Sequence, residues 1–244
     1  MKISVILACL NEERYIRLPL QSLQKQSFTD FETILVDAGS KDKTVRIAKE
    51  YGPKIIVIPN ARSRGGIAYQ RNIGAKEAQG EILAFTEADT VLPNFWLEKI
   101  IEKFEDKEII AIAGAGFPYD APFHGVLEYQ LYNRARLLFS KAPSSLKRFM
   151  TSGYNLAVRK KAFKQSGGFP LISINEDGFF GKKLATMGKT VFCCDIPVYI
   201  SARRLRSMGF INFNTYYLFM LENILPSRVF RSIREKSAKK FYER

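Results

Sequence analysis

Glu32–Tyr51 reads ETILVDAGSKDKTVRIAKEY, and the fold is decided there. Glu32–Val36 is a short β-branched, apolar run that predicts a strand. Asp37-Ala38-Gly39-Ser40-Lys41-Asp42 interrupts it with turn-forming residues. Asp42–Tyr51 then has helical spacing, with Val45, Ile47 and Ala48 inward. Working outward, the same alternation recurs. Ile3–Leu7, Lys54–Ile58, Glu81–Thr86 and Ile109–Ala113 read as strands; Leu18–Gln26, Ile67–Ala78 and Pro93–Phe104 read as helices. This rhythm predicts an α/β fold with a doubly wound, mostly parallel mixed sheet and helices on both faces. Such sheets bind ligands beyond the carboxyl ends of their strands.

The second half loses the rhythm. Val126–Phe139 reads as a helix, and Asn155–Arg159, Thr190–Cys194 and Val198–Ser201 as strands, some of them antiparallel. The expected organisation is a catalytic domain over 1–206 and an aromatic, then basic, helical extension over 207–244. Residues 200–244 hold ten Lys or Arg against three Glu, half of the chain's formal +14. So basic a chain needs an anionic partner: nucleic acid, a phosphorylated ligand or a membrane surface. With 244 residues and 46% hydrophobic content it can bury a sizeable core.

Cys9, Cys193 and Cys194 show no metal-binding spacing, and the adjacent pair would face opposite sides of a strand. All three read as reduced core residues of a cytoplasmic protein. No signal peptide or run long enough to span a bilayer is evident.

Four acidic clusters carry chemistry: Asn11-Glu12, Asp37 with its loop, Glu87-Ala88-Asp89, and Glu176-Asp177 in a Gly-flanked loop. Each of the first three follows a predicted strand, so a parallel sheet would gather them on one edge. Asp42 reads as a helix cap instead.

These residues resemble the family 2 glycosyltransferases of the glycosyltransferase-A fold. The matching pieces are Val5–Glu12, Val36–Thr44, Arg71-Asn72-Ile73-Gly74, Glu87-Ala88-Asp89, Gly167-Gly168-Phe169 and Glu176-Asp177, in family order. The resemblance implies an inverting hexosyltransferase-like enzyme that takes a sugar from a UDP- or GDP-sugar to a glycan hydroxyl or a polyprenyl phosphate. It implies Asp89 as the ligand of a divalent cation, Mg²⁺ or Mn²⁺, on the donor diphosphate, where such an ion acts as a Lewis acid. Glu87 stands where the family has the first aspartate of its Asp-X-Asp motif, one methylene longer. Asp37 matches the base contact, and Glu12 is a candidate for the ribose. The backbone of Ala8, Leu10, Asn11 and Ala88 would frame the nucleotide, with Arg71 near base and phosphates and Gly153 near the donor sugar. Arg203 and Arg204 would reach the diphosphate or an anionic acceptor. Asp177 matches the catalytic base, with Glu176 the less favoured choice. The sole histidine, His124, lies outside the motifs and reads as structural or solvated. No Gln-X-X-Arg-Trp motif is present, which argues against processive polymer synthesis.

Phe210–Leu225 and the basic Ser227–Arg244 suit an interfacial helix on anionic lipid, a cover for the catalytic domain or an oligomer contact. The protein is therefore expected in the cytoplasm or peripherally on the cytoplasmic face of a membrane. Three rivals stand: a nucleic-acid binder, disfavoured because the acidic clusters would repel phosphate; a nucleotidyltransferase, disfavoured because Ala8–Arg14 lacks a Gly-rich triphosphate loop; and an inactive membrane-associated scaffold.

Overall fold

The computed structural model describes residues 1–143, 150–172 and 175–208. The expected extension lies outside the described residues from 209 onward. Eight strands form one sheet: β1 (Ile3–Cys9), β2 (Phe31–Asp37), β3 (Lys54–Val57), β4 (Ile82–Glu87), β5 (Thr90–Val91), β6 (Ile109–Pro118), β7 (Leu156–Arg159) and β8 (Lys189–Ile200). Their order is β3-β2-β1-β4-β7-β6-β8-β5. The β1–β2, β2–β3, β1–β4 and β6–β8 pairs are parallel. The β4–β7, β6–β7 and β5–β8 pairs are antiparallel.

Every residue of β1 is buried, because the sheet is covered on both faces. Ile3, Val5 and Leu7 join one core with Leu20 and Leu23 of α1 (Arg17–Gln24) and Trp96, Leu97, Ile100 and Phe104 of α4 (Trp96–Phe104). Ile6 joins the other, with Ala68 and Ala75 of α3 (Gly66–Glu77) and Phe163, Phe180 and Leu184. Those last three come from α6 (Lys160–Ser166) and α7 (Glu176–Met187). The remaining helices are α2 (Thr44–Lys49), α5 (Phe123–Ser140) and α8 (Arg203–Met208). Gly74 explains how closely α3 lies on the sheet: a Cβ there would stand 2.5 Å from Cγ2 of Ile6.

Three differences from expectation have local causes. Thr190–Cys194 and Val198–Ser201 form one strand, β8, interrupted by an irregularity. Between the pairs Gly114↔Cys193 and Gly116↔Val198, β8 advances further than β6 does, and Pro197, which has no N–H to give, lies in the surplus. Glu176 and Asp177 lie not in a loop but in the first turn of α7, entered through Asn175 at φ 61°. Gly178 and Gly181 masked this helix by lowering its propensity; Gly181 is needed because Thr151 packs where its Cβ would be, at 2.3 Å. Finally, Cys193 is buried but Cys194 is exposed, so only two of the three free thiols lie in the core.

Asn155, just before β7, joins the antiparallel half. Its side chain accepts from Nε1 of Trp96 (3.0 Å) and donates to the carbonyls of Ala115 (3.0 Å) and Ile196 (2.8 Å). Asn155→Ala strands these buried groups and should lower stability by about 3 kcal/mol. Urea denaturation followed by fluorescence of Trp96, the only tryptophan, measures this.

Candidate active site

The parallel register sets the floor of the site. Cys9 pairs with Asp37, and Ala8 with Glu87, so the acidic strand ends stand level on one edge. Asp37 is fully buried. Its Oδ2 accepts from the N–H groups of Gly39 (2.9 Å) and Ser40 (2.8 Å), and its Oδ1 from the Ser40 hydroxyl. The Cys9 thiol also points at Oδ1 (3.6 Å); burial, then the Asp37 charge, push that thiol far above its ordinary range. Asp37 therefore shapes the loop that follows it.

That loop is laced to the end of β1. Asn11, at φ 55°, receives Lys41 N–H on its side chain (2.9 Å) and donates its own N–H to Ser40 (2.8 Å). Glu12 N–H reaches Thr44 Oγ1 (2.7 Å). Asp42 accepts from Thr44 N–H (3.0 Å) at the head of α2 and from Glu13 N–H (3.1 Å); it stands one residue before the cap position, which is Lys43, and so anchors the turn into α2 instead of capping it. Gln70, which the sequence reading passed over, donates to the carbonyls of Cys9 (2.9 Å) and Val36 (2.8 Å) and fixes both strand ends from above. Lys41 and Lys43 are exposed. Ala8 and Ala88 are buried, so only their backbones are available to a ligand; Leu10 is half-buried.

Two arginines divide the acidic groups between them. Arg203, at the start of α8, grips Glu12 with both terminal nitrogens (2.6 and 2.7 Å) and turns Nε to Asp89 (2.9 Å). Its guanidinium lies 4.8 Å from the ring centre of Tyr15. Burial, reinforced by the charges of Glu87 and Glu12 and opposed by Arg203 and Arg204, pushes the Asp89 carboxyl up to about 7. Arg204 is half-buried beside this group.

Arg71 is the second arginine and is 1% exposed. It bonds Glu87 at the end of β4 (2.9 Å) and Glu176 at the start of α7 (2.7 Å). Phe169 lies beneath it, with 5.2 Å from Cζ to the ring centre. Phe169 is held by Asn72, which donates to its carbonyl (2.8 Å) and accepts its N–H (2.9 Å). Above Arg71 runs Gly153, where a Cβ would stand 1.8 Å from the guanidinium. Gly153 N–H in turn donates to Asp177 Oδ2 (2.9 Å), while Gly178 N–H meets Oδ1 (2.8 Å). Burial and then the Asp177 charge push Glu176 up to about 7, against the pull of Arg71. Asp177 itself is half-buried and has no cation partner among the ion pairs of the described residues. His124 is exposed on α5.

The structure thus brings together Glu12, Asp37, Glu87, Asp89, Arg71, Arg203, Glu176, Asp177 and Gly153. Among the described residues no three acidic, His or Cys groups form a ready metal cage. The donor set suits a hard cation that takes most ligands elsewhere: Asp89 is a buried hard oxygen ligand with the carboxylates of Glu87 and Glu12 near it.

Residues 4–167 match the sequence model of glycosyl transferase family 2. The chain belongs to this family. TarS of Staphylococcus aureus, a poly(ribitol-phosphate) β-N-acetylglucosaminyltransferase, is 32% identical over 159 residues, which is 61% of this family 2 chain and 28% of TarS. The O-antigen chain rhamnosyltransferase WbaN of Salmonella anatum is 28% identical over 187 residues, 72% of this chain and 58% of that protein. This chain therefore spans only part of the curated relatives' lengths. Among solved structures, the mannosyltransferase PcManGT of Pyrobaculum calidifontis, in complex with GDP-Man and Mn²⁺, superposes with a TM-score of 0.69 at 20% identity, covering 99% of this chain and 74% of that one. TarS 1–349 with UDP-GlcNAc gives 0.66 at 20% identity, covering 100% and 73%. These superpositions show a glycosyltransferase-A fold.

Glu176 rises from an ordinary 4.5 to about 7, so the folded state binds its proton more tightly than the unfolded one. Its contribution to stability is present below about pH 4.5 and is lost as pH rises through about 7. Glu176→Gln removes that contribution. The stability of the variant relative to the native chain should therefore improve as pH rises across this window, by urea denaturation at matched pH values.

Proposed function

We propose that this chain transfers a sugar, with inversion, from a nucleoside diphosphate-sugar to an acceptor hydroxyl or a lipid phosphate, assisted by Mg²⁺ or Mn²⁺. One observation carries the assignment of roles. Of the two adjacent carboxylates opening α7, Glu176 is spent on buried Arg71, while Asp177 is half-buried, forms no ion pair among the described residues and is aimed by two backbone N–H groups. A base must keep a reachable oxygen and an unneutralised charge, and half-buried Asp177 suits that role better than Glu176, which is buried against Arg71. Asp177 removes the acceptor proton as that oxygen attacks the anomeric carbon opposite the departing diphosphate. With a phosphate acceptor, already ionised, it orients instead.

The strand ends form the donor side. Glu12, Asp37 and the backbone from Ala8 to Asn11 frame the nucleoside, and Glu87 and Asp89 face the diphosphate. Asp89 would hold the divalent cation, which neutralises the leaving diphosphate. Arg71 is a positioning residue: its two carboxylate bonds tie the donor edge at Glu87 to the base helix at Glu176. Arg203 holds the donor edge together and balances its charge. It is half-exposed, so it can exchange Glu12 and Asp89 for an incoming phosphate. Relatives with UDP-GlcNAc and with GDP-Man support uridine and guanosine donors alike. TarS and WbaN support glycan-type acceptors, and a polyprenyl phosphate fits the same base geometry. Residues 1–206 are the catalytic unit in this reading, and the segment from 207 is an appendage.

Thermal stabilisation by nucleoside diphosphates and their sugars, with and without Mn²⁺, tests the donor half. A ligand at 100 times its dissociation constant adds about 2.7 kcal/mol. We expect this for one base, with Mn²⁺ required, and its loss in Asp89→Asn. Stabilisation by no nucleotide would refute the assignment. Asp177→Asn tests the other half. It should keep donor binding and lose about 10²–10⁴-fold in transfer to a hydroxyl acceptor, and equal loss of both would move the base elsewhere.

A further inference from the structure

Helix α5 is built inside out. Its buried residues are Gly125, Tyr129, Asn133 and Arg136. Asn133 bonds the backbone of Gly116 through both N–H and carbonyl (3.3 and 2.8 Å). Arg136 donates to the Met150 carbonyl (2.9 Å) and the Tyr154 hydroxyl (3.0 Å), and packs on the ring of Phe192. The opposite face is exposed and mostly apolar: Phe123 is 86% exposed, Leu127 49%, Leu131 55% and Leu138 71%, with Gln130 exposed among them. With Arg134 and Lys141, also exposed, these residues recur at spacings of three and four and form one stripe along the helix. The only carboxylate of α5, Glu128, is half-buried. A stripe of large apolar side chains in water marks a contact surface.

We propose that this face of α5 docks on a lipid bilayer bearing anionic headgroups. The chemistry is that of an interfacial helix: a row of Phe and Leu to enter the acyl boundary, with Arg134 and Lys141 placed to meet headgroup phosphates. Two other occupants fit less well. A helix of 18 residues is about 27 Å long and presents a stripe about 10 Å wide. Packed on a second copy it would bury far less than the ~1,000 Å² that a stable interface needs. The chain's own C-terminal segment offers Arg134 and Lys141 little complement: Phe210–Leu225 carries one charged residue, Glu222, and Ser227–Arg244 is net basic.

The surface stands apart from the transferase assignment, and its test needs no donor or acceptor. The full chain is sedimented with phosphatidylcholine vesicles and with mixed phosphatidylcholine–phosphatidylglycerol vesicles at low and high salt. We expect binding to the mixed vesicles that weakens with salt. Leu127→Glu with Leu131→Glu should reduce it at least about tenfold, and Arg134→Gln about fivefold. Both variants change exposed side chains, and an unaltered melting transition confirms that they fold. Undiminished binding by the double leucine variant would overturn the proposal by placing the lipid contact elsewhere. So would absent binding by the native chain, whether it sediments as a monomer or as a dimer that the leucine changes dissociate.

Discussion

A guanidinium stripped of water has to be neutralised where it stands, and Arg71 sits at 1% exposure between strand and helix. Its charge is tolerable only because Glu87 and Glu176 close on it from two sides and an aromatic ring lies beneath. Both carboxyl groups bond the one guanidinium, so the end of β4 and the start of α7 are held to a common point. Gly153 crosses above at a distance no Cβ allows, and its N–H then has one direction available, toward Asp177. Four segments remote in sequence are positioned by one side chain.

Arg203 faces a similar set of acids in a different medium. Its side chain is 39% exposed, and water screens its bonds to Glu12 and Asp89. The contrast sorts the two arginines by use. Arg71 belongs to the scaffold because its partners cannot be exchanged without burying a bare charge. Arg203 neutralises the acidic strand edge from a half-exposed position, where its partners can exchange without burying a bare charge. Asp89 is pushed up to about 7 chiefly by its burial, with Glu87 and Glu12 adding to the effect and Arg203 and Arg204 opposing it.

The parallel half of the fold was legible because β1, β4 and the second half of β2 are buried and read as short, mainly apolar runs between turn residues. The same reading placed Glu12, Asp37, Glu87 and Asp89 on one edge, since parallel strands leave no other arrangement. It could not assign partners. Arg71 and Glu176 are 105 positions apart, and no local pattern announces their bond. α7 was hidden for a local reason: Gly178 and Gly181 weaken its helical signal, and only the packing of Thr151 explains why glycine stands there. Gln70 was missed because a buried amide that ties two carbonyls looks, in sequence, like any polar residue on a helix.

The inverted pattern of α5 follows from what lies behind it. The stretch from Met150 to Asn155 is not a regular strand or helix, yet it carries Gly153 and must stay in register with Asp177. Its backbone and side-chain polar groups need partners from outside. α5 supplies them: Arg136 takes the Met150 carbonyl and the Tyr154 hydroxyl, while Asn133 holds Gly116, against which the Tyr154 ring packs. With Asn133 and Arg136 turned inward, the helix exposes Phe123, Leu127, Leu131 and Leu138 alongside His124, Gln130 and Arg134. Bracing the segment that bonds Asp177 and exposing an apolar surface are two features of the same helix. Any surface that takes up that outer face lies directly behind the segment holding Asp177.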